Sequence, residues 1–265
     1  MEAPQSAAEP SGTANRGLAA TTRHQTPLVE VAGIRYGYNG SPVIGQLDFV
    51  LHEGEGVAIM APVGAGKSTF LRILLGAQLP VSGERKRFPK PDAVGVAFQE
   101  DNLLPWLTVR ENILLLNSLH RRGVENHKVD VLLEQLLLTK YEHFLPSELS
   151  SGMKQKVSLG RLLLYTPALY VLDEALAHVD ELGRKSLCST LANRIAIDNA
   201  GVVLVTHNPT DALQVADRIL IGSARPLTIR AVFNNPVPRA LRSLGPADTT
   251  FRRALDTLVA LLNDA

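Results

Sequence analysis

A glycine-rich turn between two apolar segments limits what this chain can fold into more than any other feature. Residues 57–60 are apolar and predict a buried strand, and residues 69–75 predict a helix that ends at Gly76. Residues 61–69, which join them, have the sequence APVGAGKST. A strand, a glycine-rich turn and a helix in this order are the context of a phosphate-binding loop, so the sequence predicts such a loop here.

The chemistry of this loop follows from its backbone and from two side chains. Gly64 and Gly66 allow successive N–H groups to curve around a phosphate, and the helix N-terminus adds positive potential. Lys67 can reach the β- and γ-phosphates of a nucleotide, and Ser68 can ligate Mg²⁺. Ala61 replaces the usual first glycine, which is acceptable if its φ is negative. The residues predicted to line the nucleotide site are Ala61, Pro62, Val63, Gly64, Ala65, Gly66, Lys67, Ser68 and Thr69.

Composition excludes several classes of protein. The 265 residues carry a net charge of +1, which gives no basic footprint for nucleic acid. The single cysteine, Cys188, cannot form an intrachain disulfide and fits a reducing compartment. No apolar run approaches the length of a membrane-spanning helix. Residues 1–26 lack the apolar segment of a secretory signal, and their composition predicts a disordered tail.

Short apolar segments and helical patterns alternate along most of the chain. Residues 28–31 and 47–51 alternate apolar and polar residues, as half-buried strands do, whereas the later strand segments are apolar. Such strands alternating with helices predict a mainly parallel sheet covered on both faces. Residues 80–93 are rich in Pro, Lys and Gly and predict a surface loop. The later strands are predicted at residues 94–98, 169–172, 202–205 and 218–221, and helices at residues 151–164, 183–197 and 209–216.

Two regions depart from this alternation. Residues 109–119 and 128–138 carry Leu and Val at helical spacing with no strand pattern between them, which predicts an all-helical insertion. Residues 250–262 have apolar residues on one helical face. We expect that amphipathic helix to pack on the core.

Polar side chains directly follow the predicted strands, at the edge where open α/β sheets bind ligands. Asp173 can hold Mg²⁺, and Glu174 can polarise an attacking water as a general base. A solvated acidic pair at the end of a strand is the alternative for these two residues. His207 follows the strand predicted at residues 202–205, and the alternative to a functional role is an ordinary core or surface histidine. The phosphate loop about 100 residues upstream favours the catalytic interpretation. Gln99 ends another of the predicted strands.

Ser150, Ser151 and Gly152 open the helix predicted to begin at residue 151. The serines cap this helix, and its first amide groups are free to bind an anion. The alternative is an ordinary Ser-capped helix, and only the other motifs decide between the two interpretations.

Together these residues resemble the ATPase subunit of an ABC transporter, over residues 28 to about 222. Tyr38 occupies the position of the family's adenine-stacking aromatic residue, with Tyr36 as the competing choice. Ala61 and Ser151 replace family glycines, and Ala175 replaces a common proline, which affects the expected rate more than the reaction. By resemblance, residues 61–69 are the Walker A loop, Gln99 the Q-loop, residues 150–153 the signature, residues 169–174 Walker B, Ala177 to Asp180 the D-loop and His207 the switch histidine.

The resemblance implies a P-loop NTPase fold of the α/β class, with a RecA-like, mainly parallel sheet, an antiparallel β part and an inserted α-helical subdomain. The domains that it implies are a RecA-like core at residues 27–101 and 160–225, a helical subdomain at residues 102–159 that contains the signature, and a C-terminal extension at residues 226–265 with the amphipathic helix.

The implied mechanism needs ATP, Mg²⁺ and two copies of the chain, most simply a homodimer. ATP would lie between Lys67 and Ser68 of one copy and Ser150, Ser151 and Gly152 of the other, with Asp180 close by. The implied roles are Ser68, Gln99 and Asp173 for Mg²⁺, Glu174 for activating water, and His207 for contacting the γ-phosphate.

The resemblance implies that the chain is a peripheral subunit at the cytoplasmic face of the plasma membrane. The implied partners are integral-membrane permease subunits and, indirectly, a solute-binding protein. Residues 98–112 are similar to the segment after the Q-loop in importers for nitrate, taurine and aliphatic sulfonates. Trp106 in this segment is either an anchor for the permease or a core residue of the helical insertion. The solute itself is chosen by proteins encoded elsewhere.

Other functions within the same superfamily are an ATPase of a different transport system, a soluble ATPase acting on DNA or ribosomes, and a nucleotide-binding partner that does not hydrolyse ATP. The proteins that act on DNA carry long coiled-coil insertions, but here only about 83 residues separate Lys67 from Ser150. The acidic pair with Lys67 and His207 argues against a partner without turnover.

Overall fold

The structure is a computed structural model that describes residues 27–263. The predicted disordered tail, residues 1–26, therefore lies outside the described residues. The strands of the described part are β1 (Pro27–Tyr38), β2 (Ser41–His52), β3 (Gly56–Met60), β4 (Ser82–Arg87), β5 (Val94–Ala97), β6 (Leu169–Asp173), β7 (Gly201–Val205), β8 (Arg218–Gly222) and β9 (Ile229–Asn234). Its α-helices are α1 (Lys67–Leu74), α2 (Val109–Leu119), α3 (Asn126–Gln135), α4 (Ser151–Tyr165), α5 (Glu181–Ile197), α6 (Pro209–Val215), α7 (Arg239–Arg242) and α8 (Thr249–Asn263).

The central sheet has six strands in the order β5-β6-β7-β3-β8-β9. All neighbouring pairs are parallel except β8 with β9, which is antiparallel. Every residue of β3, β6 and β7 is buried, because other layers cover both faces of the sheet. The predicted mainly parallel sheet is therefore confirmed.

The period of two along a strand divides the core into two layers. Val57 and Ile59 of β3 pack against α1 and the antiparallel sheet β2-β1-β4. Ala58 and Met60 point to the opposite face and belong to the core that the helical insertion and helices α4, α5 and α6 share. The antiparallel β part that the family resemblance implied is thus a separate three-stranded sheet beside the central one.

The prediction of a surface loop over residues 80–93 is wrong in part. The segment holds β4, which pairs antiparallel with β1, and a short 3-10 turn at Pro91–Ala93. All six residues of β4 are exposed, and they are mostly charged or polar. An edge strand without an apolar face gives no periodic pattern, so only its backbone pairing with β1 defines it.

Buried hydrogen bonds fix the segment that joins β5 to the helical insertion. The buried Asn112 side chain donates from Nδ2 to the carbonyl oxygens of Leu104, Leu107 and Thr108, at 2.9–3.1 Å. Arg161 of α4 donates to Asn112 Oδ1 at 2.9 Å. Because Asn112 lies on α2, these bonds hold the loop around Trp106 in one position on the helical insertion.

The C-terminal helix confirms the predicted packing role. Phe251, Ala254 and Leu258 of α8 are buried, and the helix packs against α6 and against the 3-10 turn at Gly245–Ala247. In the described part of the chain, no helix combines the length and the hydropathy needed to cross a bilayer.

Candidate phosphate-binding and catalytic site

The loop between β3 and α1 has the backbone conformation that its sequence predicts. Gly64 and Gly66 have φ values of 77° and 115°, a region that only glycine adopts without strain. Gly66 is the residue directly before α1, which begins at Lys67. Ala61 is not one of the described residues that have a positive φ. Its methyl group therefore causes no backbone strain in the loop.

Lys67 is buried, and its ammonium group is held inside the loop. Its Nζ donates to the carbonyl oxygens of Ala61 at 2.9 Å and Pro62 at 3.1 Å. Glu174 Oε1 lies 3.6 Å from the same nitrogen. The ammonium group is therefore surrounded by oxygen atoms, in the kind of setting that a phosphate oxygen can enter.

The acidic pair lies beside this ammonium group. Burial of Asp173 raises the pKa of its carboxyl, while a hydrogen bond with Ser68 and the nearby Lys67 lower it. Ser68 is the second residue of α1, so the end of β6 and the start of α1 meet at this point. The structure thus brings Lys67, Ser68, Asp173 and Glu174 together, as the sequence predicts.

Glu174 has an unusual backbone conformation. Its φ is 51°, in the left-handed region that non-glycine residues rarely adopt, and its backbone N–H donates to Val205 O at 3.0 Å. Strain of this kind persists where the surrounding structure fixes it, and it is concentrated at functional sites. This backbone conformation fixes the position from which the Glu174 side chain extends towards Lys67.

His207 lies next to the phosphate loop. It follows β7, its side chain is exposed, and it lines a cavity of about 220 Å³ with Ala61, Pro62 and Leu262. Leu262 belongs to α8, so the C-terminal helix ends beside this histidine. No pattern in residues 250–262 predicts that this helix approaches the phosphate loop.

Gln99 is exposed just after β5. The preceding carbonyl, Phe98 O, accepts a hydrogen bond from Gln155 Nε2 of α4 at 3.1 Å. This bond connects the start of the insertion to the helix that begins at the predicted signature.

The predicted signature occupies the N-terminus of α4. Ser150 Oγ accepts from Met153 N at 3.3 Å, and Ser151 is exposed. A Cβ on Gly152 would lie 2.6 Å from His178 O, so this position requires glycine. In the part of the chain that is described, no hydrogen bond or ion pair joins Ser150, Ser151 or Gly152 to the phosphate loop.

Asp180 is tied to the same helix. Its carboxylate accepts from Gly183 N at 2.9 Å and pairs with Lys156 Nζ of α4 at 2.6 Å. Those two interactions with Lys156 and Gly183 lower the pKa of Asp180. The sequence analysis did not single out Lys156, because a lysine on a helix is usually solvated, and only the fold shows that this one is buried.

The two candidate aromatic residues differ in exposure. Tyr38 is 45% exposed, whereas Tyr36 is 9% exposed, and the rings meet edge to face with centroids 4.9 Å apart. A ring must have a free face to stack on a base, so the geometry favours Tyr38 over Tyr36.

The chain is similar to known proteins in its sequence and in its fold. The family model described as "ABC transporter" matches residues 44–177. The chain is 34% identical to an aliphatic sulfonates import ATP-binding protein of Rhodococcus jostii, over 91% of this chain and 95% of that protein. It is 37% identical to one of Paraburkholderia xenovorans, over 91% of this chain and 93% of that protein.

Solved structures agree on the fold. An ATP-binding subunit of an ABC transporter superimposes with a TM-score of 0.69 at 24% identity, over 88% of this chain and 99% of the other. A dimeric ATP-binding cassette with bound ADP and phosphate gives a TM-score of 0.65, also at 24% identity, over 77% of this chain and 100% of the other. The P-loop NTPase fold is thereby confirmed, and with the family match and the close relatives it follows that the chain belongs to the ABC transporter family, as one of its ATP-hydrolysing subunits.

Proposed function

We propose that this chain is the ATPase of an importer for an aliphatic sulfonate or a similar small anion, such as taurine or nitrate. The observation that carries the importer assignment is the identity of 34–37% to sulfonate import ATP-binding proteins, over about nine-tenths of the chain. The segment around Trp106, after the Q-loop, supports the same group of importers.

The hydrolytic part of the proposal is supported by the residues that meet at the phosphate loop. Lys67 would exchange its bonds to loop carbonyls for bonds to the β- and γ-phosphates, and the backbone amides of Gly64 and Gly66 would surround the same oxygens. Phosphoryl transfer needs mainly positioning and neutralisation of charge, and both are available here.

Mg²⁺ is the expected cofactor, and the oxygen donors at the site fit it. The Ser68 hydroxyl and the Asp173 carboxylate lie beside each other, and Mg²⁺ prefers such oxygen ligands together with the phosphates of its nucleotide. We assign Ser68, Asp173 and Gln99 as the residues that would hold it. When bound, Mg²⁺ neutralises charge on the β- and γ-phosphates.

Glu174 is assigned as the general base, because its carboxylate lies at the phosphate loop and its backbone is fixed by Val205. In this position it accepts a proton from the attacking water. His207, beside Ala61 and Pro62, is assigned as the residue that contacts the γ-phosphate.

The site is completed by a second copy of the chain. Ser150, Ser151 and Gly152 stand at the exposed start of α4, where free amide groups and the helix dipole favour an anion. We propose that they bind the γ-phosphate held by the other copy. Asp180, fixed to α4 through Lys156, would move together with them.

We assign the loop around Trp106 to the contact with the permease, and we propose that the subunit lies at the cytoplasmic face of the plasma membrane. Trp106 is 70% exposed, so the alternative of a core tryptophan does not fit this fold. The loop follows Gln99 directly, which connects the nucleotide site to the contact with the permease.

Growth and uptake test the proposed function. Deletion of the gene should abolish uptake of an alkanesulfonate, taurine or nitrate. The wild-type gene should restore uptake, Lys67→Ala should not, and Lys140→Ala, which changes an exposed lysine of the insertion, should restore it. Loss of sugar or amino-acid uptake instead would contradict the importer assignment but leave the ATPase intact.

A further inference from the structure

A cavity of about 360 Å³ lies between the first turns of α5 and α6. Helix α5 lines it with Glu181, Arg184 and Lys185, and helix α6 lines it with Asp211 and Gln214. None of the residues that we assign to ATP or Mg²⁺ lines this cavity, so the nucleotide chemistry does not use it. Its volume is in the range of small-molecule sites.

Two buried side chains of α6 present polar atoms to this cavity without a partner. Asp211 is 3% exposed and Gln214 is 7% exposed, and among the described residues neither side chain forms a hydrogen bond or an ion pair. Their polar atoms are not fully enclosed, and both residues line the cavity, so the small surface that these atoms keep opens into it. Because a buried polar group without a partner destabilises the folded state, both side chains need an explanation.

The Asp211 carboxylate has the greater need of a partner. Burial raises the pKa of Asp211 to about 6, and the nearby Arg184 and His207 only partly offset this effect. Water in the cavity could hydrogen-bond to the carboxylate but could not neutralise it, whereas an ammonium group would do both. Gln214 lies three residues further along the same helix, where its Oε1 can accept a second bond from that ammonium group.

The α5 side of the cavity carries positive charge. Arg184 donates from Nη2 to Val179 O at 3.0 Å, and in the described part of the chain neither Arg184 nor the exposed Lys185 forms an ion pair. Guanidinium and ammonium groups bind the oxygen atoms of carboxylates and sulfonates. Glu181 is exposed and likewise unpaired among the described residues, so the lining holds two acidic and two basic side chains.

This balance of charge excludes ligands with a single charge. A free anion would leave Asp211 without a partner, and a free cation would be repelled by Arg184 and Lys185. We infer that the cavity binds a small zwitterion, with its ammonium group at Asp211 and its acidic group at Arg184 and Lys185. Amino acids and aminosulfonates share this chemistry.

The remaining lining is mixed. Leu244 and Pro246 offer apolar surface to a short carbon chain, and Asn208 and Thr210 add polar surface. The charged groups on the two helices therefore determine the class of ligand, and the apolar surface does not select a long chain. Binding at this cavity is independent of which solute the importer carries.

Isothermal titration of the full chain at neutral pH and saturating ADP tests this site. The probes are β-alanine and taurine, which have the same carbon chain and differ in the acidic group. We expect one-to-one binding of at least one probe, and the probe that binds identifies the acidic group. Propionate and propylamine, each of which lacks one of the two charges, should bind about tenfold or more weakly.

Substitutions at both ends of the ligand complete the test. Asp211→Asn should weaken the bound probe about tenfold or more, and Lys185→Gln, which changes an exposed side chain, should weaken it as well. Asp256→Asn is the matched control, because Asp256 is an exposed carboxyl on α8 that does not line the cavity. Thermal unfolding without probe should show that all three variants are folded.

Four results would overturn the inference. Neither probe binds, or Asp211→Asn or Lys185→Gln binds the probe as tightly as the wild type. Propionate or propylamine binds as tightly as the zwitterions, which would remove one of the two charged contacts. The probe binds only in the absence of ADP, which would place it in the phosphate loop.

Discussion

The backbone conformation at single positions of the site determines which residue types each position accepts. Ala61 shows that the first glycine of the loop is dispensable, because its backbone does not need a positive φ. Glu174 shows the reverse case, a non-glycine residue held at a φ of 51° beside the ammonium group of Lys67. Sequence patterns identify such residues by type and spacing, but dihedral angles and burial become known only from the fold.

Tyr38→Ala should weaken ATP binding several-fold, because loss of a stacking ring costs about 1–3 kcal/mol per base in nucleic-acid sites. Tyr36→Ala should instead lower the melting temperature with little change in affinity, since its ring is buried. Titration with MgATP and thermal unfolding separate the two effects. The reverse outcome would move the stacking role to Tyr36.

Asp211→Asn should stabilise the protein in a pH-dependent way. Burial raises the pKa of Asp211 from 3.8 to about 6, although Arg184 and His207 lower it. A raised pKa means that the folded state favours the neutral carboxyl, so the contribution of Asp211 to wild-type stability falls between pH 3.8 and about 6 and then levels off.

Asp211→Asn has no carboxyl that ionises at this position, so the variant does not lose this stability as the pH rises. Urea unfolding should show nearly equal stability near pH 4, and a gain for the variant on the order of 2 kcal/mol at pH 7.5. Asp256→Asn, an exposed carboxyl on α8, should show no such gain. A gain for Asp211→Asn that is the same at both pH values would contradict the assigned pKa.

Secondary-structure elements were predictable where their burial is uniform. The fully buried strands β3, β6 and β7 carry continuous apolar runs, so the sequence placed them within one residue of their bounds. The exposed β4 left no such pattern. β9 was not predicted either, because its residues are mostly half-buried or exposed and it joins the sheet only through pairing with β8.

The Trp106 loop yields a prediction at the scale of an element, since Asn112 fixes the loop without using the tryptophan ring. Trp106→Ala should leave the isolated subunit folded and able to bind ATP, and should impair assembly with the permease and uptake. Trp is enriched among the residues that contribute most of the binding free energy at interfaces. The variant should therefore lose more than about 1 kcal/mol of binding free energy for the permease.

Leu79→Ala, which changes an 81% exposed leucine outside the insertion, is the control and should assemble normally. Co-purification with the permease and circular dichroism of the free subunit measure the two effects. Unfolding of Trp106→Ala would show that the ring has a structural role.

At the scale of the whole molecule, no hydrogen bond or ion pair among the described residues joins the two halves of the proposed ATP site within one copy. The phosphate loop and acidic pair lie at the carboxyl edge of the sheet, and the start of α4 belongs to the helical insertion. The bonds Lys156–Asp180 and Gln155–Phe98 join α4 to both neighbouring segments. The sequence could name these residues through their family pattern, but the links through Lys156 and Gln155 required the fold.

The central claim, an ATPase site shared between two copies, is tested most directly by Glu174→Gln. Turnover and oligomeric state are measured by phosphate release and by light scattering after size exclusion in ATP. The variant should bind ATP, lose about 10²–10⁴-fold in turnover because an amide cannot accept the proton of water, and accumulate as an ATP-bound dimer. Glu134→Gln, an exposed acid on α3, should behave as the wild type. Near-normal turnover in Glu174→Gln, or a monomer that holds ATP, would contradict the account.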